Sequence, residues 1–297
     1  MKILVTGGLG FIGSHTVVEL QNEGFDVVII DDLSNSSLEV LEGITSISGI
    51  KPYFEELDLK IKSDVKSFFS KHSDVVGVIH FAASKAVGES VKEPLMYYEN
   101  NISTLVYVLQ EMTKLNRQNF IFSSSCTVYG QADELPITEN AQVKPAQSPY
   151  GNTKQIGEEI IQDTCKVNEK LNSIALRYFN PIGAHPSTEI GELPIGVPQN
   201  LVPFITQTAM GMRERLSVFG GDYATPDGTC VRDYIHVVDL AKAHVVALQR
   251  LLENKNTSNY EVFNLGTGKG SSVLEAIHSF EKVSKKKLKY KIVDRRE

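Results

Sequence analysis

Lys2-Ile3-Leu4-Val5-Thr6-Gly7-Gly8-Leu9-Gly10-Phe11-Ile12-Gly13 stands at the start of the chain, and its reading decides the fold. Lys2 to Thr6 is a short apolar run ended by glycines, which predicts a buried strand. Gly7 to Gly13 satisfies both G-x-x-G-x-x-G and G-x-G-x-x-G. Helical spacing follows from Ser14 to Glu23, with Gly24 as the expected stop. Phe25 to Ile30 then predicts a second strand, ended by Asp31-Asp32. Strand, glycine turn, helix and strand in this order let a pyrophosphate approach backbone N–H groups at a helix N-terminus. Asp31 lies 18 residues past Gly13, where a carboxylate can accept hydrogen bonds from a ribose diol. It would repel a 2′-phosphate and no arginine follows it closely, so the pattern predicts NAD over NADP. Glycine triplets also mark ordinary turns; the strand context and the acid carry the reading. Asp32 serves equally well as a strand terminator or a ribose contact.

The alternation continues. Strands are predicted at Pro52–Glu56, Val75–Phe81, Asn119–Ser123 and Ser173–Tyr178, with helices at Lys62–Lys71 and Pro94–Leu115. Strands alternating with helices imply an α/β fold built on a doubly wound parallel Rossmann sheet, whose sites form at the strands' C-terminal ends. Asp31, Asp58, Lys85 and Ser125 all fall just past strand ends, which predicts one shared cleft.

Ser148-Pro149-Tyr150-Gly151-Asn152-Thr153-Lys154 opens another helix, running to about Val167, with the serine as cap and the proline at its first position. Tyr150 and Lys154, four apart, share one helix face. A free phenol titrates near pH ~10, and a lysine cation held close favours the phenolate. Bringing that phenol to neutrality takes about 4 kcal/mol, more than one positive charge supplies, and a nicotinamide cation would add the second. Tyr-x-x-x-Lys alone is a weak signal and gains meaning from the rest of the chain.

Past Asn180 the texture changes. Residues 180 to 200 hold four of the 11 prolines, so a boundary is expected there. Leu201–Met212 predicts a helix, Gly220–Gly228 a loop, and Val231–Leu252 a segment that starts extended and turns helical. Val262–Gly266 reads as one more buried strand, placed to rejoin the first sheet. Two lobes are therefore expected, residues 1–180 and 181–297, interleaved through residues 261–266. Lys285, Lys286, Lys287, Lys289 and Lys291 read as a solvated face.

A net charge of −6 argues against a nucleic-acid partner. No apolar run approaches the ~20 residues that span a bilayer, and the chain enters its first strand without a signal peptide. Three widely spaced cysteines (Cys126, Cys165, Cys230) suggest neither disulfides nor zinc. The expectation is a cytoplasmic protein.

Seven stretches together resemble the extended short-chain dehydrogenase/reductase family, and closely its UDP-galactose (UDP-glucose) 4-epimerase branch. They are Val5 to His15, His80 to Ser90, Phe122 to Gly130, Tyr150 to Lys154, Arg177 to His185, Asn200 to Pro203 and Arg232 to Leu240. The resemblance implies that Tyr150 is the base, that Lys154 supports it and binds the nicotinamide ribose, and that Ser125 hydrogen-bonds the sugar at O4 beside Thr127. It places Gly7, Gly10, Phe11, Ile12, Gly13, Asp31, Asp32, Leu33, Ser34, Asn35, Ser36, Asp58, Leu59, Phe81, Ala82, Ala83, Ser84, Lys85, Asn100 and Phe179 around NAD. Asn180, Asn200, Leu201, Ser217, Val218, Phe219, Arg232 and Arg296 would hold the uridine diphosphate, for which guanidinium groups are apt. It further implies reversible epimerisation at C4 through a 4-keto sugar, tightly kept NAD, and a homodimer built on the two long helices.

Departures are few. Cys126 replaces a common alanine and reads as packing, and Ala83-Ser84 replaces a usual Gly-Leu. His185 and His236 read as local hydrogen-bonding residues. Ser125 reads as a cap or as a substrate contact. The family continues for several tens of residues past the penultimate Arg296, so a shortened second lobe is expected; the residue that gates N-acetylated sugars would lie there. Two alternatives compete. A 4,6-dehydratase or decarboxylase of the same superfamily needs carboxylates where Cys126 and Thr127 stand. A catalytically idle NAD-binding protein would have no need of Ser125, Tyr150 and Lys154 together.

Overall fold

The first strands alternate their side chains with a period of two. Ile3, Val5, Val27 and Ile29 enter one apolar core, while Leu4, Val28 and Ile30 enter a second on the opposite face. A sheet apolar on both faces must be covered on both. The computed structural model, which describes residues 1–116 and 118–295, shows how. Strands β1 (Lys2–Thr6), β2 (Asp26–Asp31), β3 (Tyr53–Glu56), β4 (Val75–His80), β5 (Asn119–Ser125) and β6 (Asn172–Tyr178) join β10 (Tyr260–Leu265) in one sheet. Its order is β10-β6-β5-β4-β1-β2-β3, and every pairing is parallel.

Helices α1 (Phe11–Asn22), α2 (Glu39–Ser48) and α8 (Val237–Leu252) cover one face through Val17, Leu20, Ile44, Leu240 and Leu248. Helices α3 (Lys62–Lys71), α5 (Pro94–Lys114) and α6 (Pro149–Val167) cover the other through Phe68, Phe69, Leu105, Met112 and Ile161. The chain winds outward from β1 and then restarts at β4 on β1's other side. A crevice therefore opens between the C-terminal ends of β1 and β4.

A smaller lobe completes the molecule. Strands β7 (Asn180–Ile182), β9 (Val231–His236) and β11 (Gly270–Ser272) form a mixed sheet. Strands β8 (Leu216–Phe219) and β12 (Tyr290–Val293) form a parallel pair. With α7 (Leu201–Ala209) and α9 (Val273–Ser284) they enclose a third apolar cluster that includes Ile205, Leu216, Val218, Ile277 and Leu288. Residues 237–265 leave this lobe for α8 and β10 in the large one. The five lysines between 285 and 291 are exposed. Among the described residues, no helix is long and apolar enough to cross a membrane.

Several boundaries differ from expectation. Helix α1 begins at Phe11, three residues before Ser14, because Gly10 is already its N-cap. Strand β5 runs on to Ser125, where Ser123, Ser124 and Ser125 pair with Leu176, Arg177 and Tyr178. Helix α7 stops at Ala209 instead of Met212, and Gly211 at φ +75° turns the chain away. Helices α2 and α4 (Val87–Lys92) went unforeseen; each is short and follows a polar, glycine- or serine-containing stretch.

Ile121, fully buried at the centre of β5, tests this arrangement. Ile121→Ala is expected to cost about 2–5 kcal/mol, read as a lower urea midpoint by circular dichroism.

Candidate active site

Helix α1 starts without a capping side chain and carries no acidic residue in its first turn. The N–H groups of that turn are therefore left for an anion, where the helix dipole also favours one. Two glycines make the close packing possible. A Cβ on Gly13 would lie 2.2 Å from the Gly7 carbonyl oxygen, and one on Gly7, at φ +66°, would lie 2.8 Å from the Ala82 nitrogen. The turn after β1 thus rests directly on the loop after β4, a shape suited to a pyrophosphate.

Asp31, buried at the tip of β2, binds this turn to the next loop. Its Oδ2 accepts from Leu9 N at 3.0 Å, and its Oδ1 accepts from Leu33 N at 3.1 Å and from the Ser36 hydroxyl at 2.7 Å. Asp32 accepts from the backbone and hydroxyl of Ser34 at 3.0 and 2.6 Å and so turns the chain beside exposed Asn35. Asp58 closes the next strand end by accepting from Lys60 N at 2.8 Å, with Leu59 buried beside it. Lys85 Nζ lies 6.0 Å above the Phe11 ring and 3.6 Å from Glu192 Oε1.

Past β4, Phe81 N and Ala82 N donate to Thr6 O and Thr6 Oγ1, at 3.0 and 3.3 Å. Asn101 clamps Ser84 by accepting from its N–H at 2.8 Å and donating to its carbonyl at 3.0 Å. Asn101 also donates to Thr153 Oγ1 of α6 at 3.0 Å, while Asn100 donates to the Ser84 hydroxyl at 3.0 Å. Sequence reading missed Asn101 and Thr153, because an asparagine inside a helix carries no signal until its partner is known.

Ser148 caps α6 by accepting from Gly151 N at 3.1 Å, with Pro149 in the first turn. This brings Tyr150 close to Ser125, whose hydroxyl accepts from Thr127 N at 3.2 Å. Ser125 is thus both cap and neighbour of the phenol. The Thr127 hydroxyl is buried and, among the described residues, has no hydrogen-bond partner. Lys154 is buried; its ammonium donates to Ser123 O at 2.7 Å and lies 5.0 Å from the Phe122 ring centroid and 5.8 Å from that of Tyr150.

Burial pushes the Tyr150 phenol up to about 12, with Ser125 opposing, so Lys154 by itself does not bring it down. The cation is turned towards the Ser123 carbonyl and is itself destabilised by burial, which pushes it down to about 8 against the pull of Glu158. The phenol lacks enough positive charge nearby to ionise at neutral pH, and a cation bound beside it would favour the phenolate. Cys126, pushed up to about 11 by burial, is a poor nucleophile.

The smaller lobe faces the same end. Arg232 is exposed on β9 and close enough for its charge to act on Cys126 and Tyr234. Phe179 follows β6, hydrogen-bonded through its N–H to Leu265 O, and Asn180 pairs with Tyr234. Asn200 stands at the N-cap position of α7, ahead of Leu201, but its side-chain amide donates to Glu192, the carboxylate that also meets Lys85. Ser217, Val218 and Phe219 belong to β8, with Val218 buried. Arg296 lies outside the described residues. His236 caps α8 by accepting from Val238 N, and His185 Nδ1 accepts from Ser187 N, so both are held locally. Gly13→Ala is expected to abolish retention of NAD, because the added methyl overlaps the turn; absorbance of nucleotide released on denaturation reads this out.

A family model described as "NAD dependent epimerase/dehydratase family" matches residues 3–266. UDP-glucose 4-epimerase of Haemophilus influenzae is 50% identical over 296 residues, covering 100% of this chain and 86% of the relative. That of Mus musculus is 49% identical over 302 residues, with coverages of 100% and 86%. UDP-glucose-4-epimerase from Stenotrophomonas maltophila, crystallised with bound NAD and formylated UDP-arabinopyranose, superposes with a TM-score of 0.95 at 47% identity, covering 100% of this chain and 87% of that one. The Bifidobacterium longum enzyme in complex with NAD+ and UDP gives the same TM-score and coverages at 44% identity. With sequence and backbone agreeing across the whole described chain, this protein belongs to the NAD-dependent epimerase/dehydratase family.

Proposed function

We infer that this chain is a UDP-glucose 4-epimerase: it interconverts UDP-galactose and UDP-glucose at C4 through a 4-keto sugar, with NAD as cofactor. The observation that carries the reading is the meeting of Tyr150, Ser125 and Lys154 at the crevice beside an uncapped, glycine-cradled helix start. Relatives of the same name at about half identity support it.

The turn Gly7, Gly10, Phe11, Ile12 and Gly13 would hold the pyrophosphate, and Asp31 with Leu33 to Ser36 the adenosine ribose. Phe81 to Lys85, Asn100, Lys154 and Phe179 would line the nicotinamide side, and Asp58 and Leu59 the adenine side. Bound NAD would supply a reversible hydride acceptor for C4, so that the sugar can be oxidised and then reduced. Tyr150 takes the O4 proton as C4 is oxidised and gives it back to the ketone oxygen after the sugar has turned over. Ser125 and the unpartnered Thr127 hydroxyl orient O4. Asn180, Asn200, Leu201, Ser217 to Phe219 and Arg232 anchor the uridine diphosphate, which leaves the sugar free to rotate; Arg296 is assigned with them from the family pattern. Binding energy spent on the nucleotide leaves both sugar faces accessible. Where a dehydratase would place acid–base groups, Cys126 and Thr127 offer a high thiol and a hydroxyl, so water elimination has no means here.

The unpaired cysteines fit the reducing cytoplasm, the compartment we assign; recovery of the native protein from culture medium would contradict it. Helices α5 and α6 lie side by side on one face, and a homodimer through them is the assembly we propose. Sedimentation velocity is expected to give twice the 32.8 kDa chain mass, and a monomer would exclude it.

Tyr150→Phe is expected to abolish conversion of UDP-galactose to UDP-glucose, followed by NMR without added NAD, while the purified protein still carries NAD. Full activity would remove Tyr150 as the base. Bound NAD with no conversion by the unaltered protein would favour an idle scaffold.

A further inference from the structure

We infer that Glu158 is a positioning residue for the epimerisation: its buried carboxylate, one helical turn past Lys154, holds the Lys154 ammonium in its charged form. This rests on the assignment of Lys154 made above. Glu158 and Lys154 are four apart on α6 and share a face, both buried. The carboxylate is fixed from two directions. Arg177 of β6 grips it through Nε at 2.9 Å and through Nη2, and the Ser124 hydroxyl of β5 donates to Oε1. Arg177 is in turn stacked 4.8 Å from the Tyr129 ring centroid.

The groups facing Lys154 show why this carboxylate matters. On α6 these are the Tyr150 phenol and Glu158. From β5 come the Ser123 carbonyl and the Phe122 ring. From β4 comes His80, whose Nδ1 is hydrogen-bonded to Thr6 Oγ1 at 2.9 Å and which burial and the Lys154 charge push down to about 3, so it is neutral. From β6 comes Arg177, bound to Glu158, whereas Tyr178 enters the apolar core on the sheet's other face. Of these groups only Glu158 is an anion. Burial alone drives Lys154 towards neutrality, and Glu158 opposes it.

The sign of the pH effect follows. Activity needs Tyr150 deprotonated, which sets the acid limb, and Lys154 protonated, which sets the alkaline limb. In Glu158→Gln the midpoint of Lys154, read from its 13Cε resonance and assigned by loss in Lys154→Met, is expected to fall by about one pH unit. The alkaline limb of epimerisation falls with it and the acid limb stays. Because Glu158→Gln strands the Arg177 charge and can unfold the chain, the double variant Glu158→Gln/Arg177→Met repeats the test without a stranded cation, with a smaller fall expected. An unchanged Lys154 midpoint in either folded variant overturns the proposal, as does a uniform loss of rate with both limbs in place. Failure of the unaltered protein to epimerise would instead overturn the function, and the resonance titration would still judge Glu158.

Discussion

A positive charge held out of water organises the centre of this molecule. The Lys154 ammonium is buried against an aromatic ring, one carbonyl oxygen and a phenol. Helix α6, which carries it, is seated on β5 and β6 by the Glu158–Arg177–Ser124 contacts one turn further on. A loose α6 would let water reach the ammonium, and the electrostatic influence of Lys154 on Tyr150 would fade. The apolar contacts of Leu105, Phe122 and Ile161 beneath the helix therefore serve the chemistry as well as the stability.

The second constraint is steric. Turn, helix and neighbouring loop approach so closely at Gly7 and Gly13 that any side chain there would overlap backbone. That approach brings the first turn of α1, Lys85 and the end of β4 to one rim, and Asp31 ties the rim to the loop beyond β2. The smaller lobe reaches the same rim because the chain crosses back for α8 and β10, so the two lobes cannot separate without breaking the large core. Glu192 shows the consequence: one carboxylate meets Lys85 from the large lobe and Asn200 at the head of α7.

Sequence and structure part company at identifiable places. The strands of the large sheet and the long helices were legible, because short apolar runs and period-3.6 patterns report burial on flat and cylindrical surfaces. Helix α4, the short strands β7, β8, β11 and β12 and the true end of β5 were not. In Ser123-Ser124-Ser125 no apolar pattern exists to extend, and the strand continues only because β6 supplies backbone partners. Asn101, Thr153 and Glu158 were passed over for a related reason: each looks like an ordinary helix residue until a residue 17 to 52 positions away meets it.

The amino-acid order by itself determined the class of fold, the glycine turn with its acid, and the tyrosine and lysine on one face of a helix. Those are local properties, fixed by spacing and by which residues tolerate tight turns. Tertiary structure alone decided the ionic state of that pair. Spacing put a lysine beside the phenol and called for a second cation; burial raises the phenol to about 12 and lowers the lysine to about 8. Desolvation depends on everything packed around a charge, and no stretch of sequence contains its own surroundings.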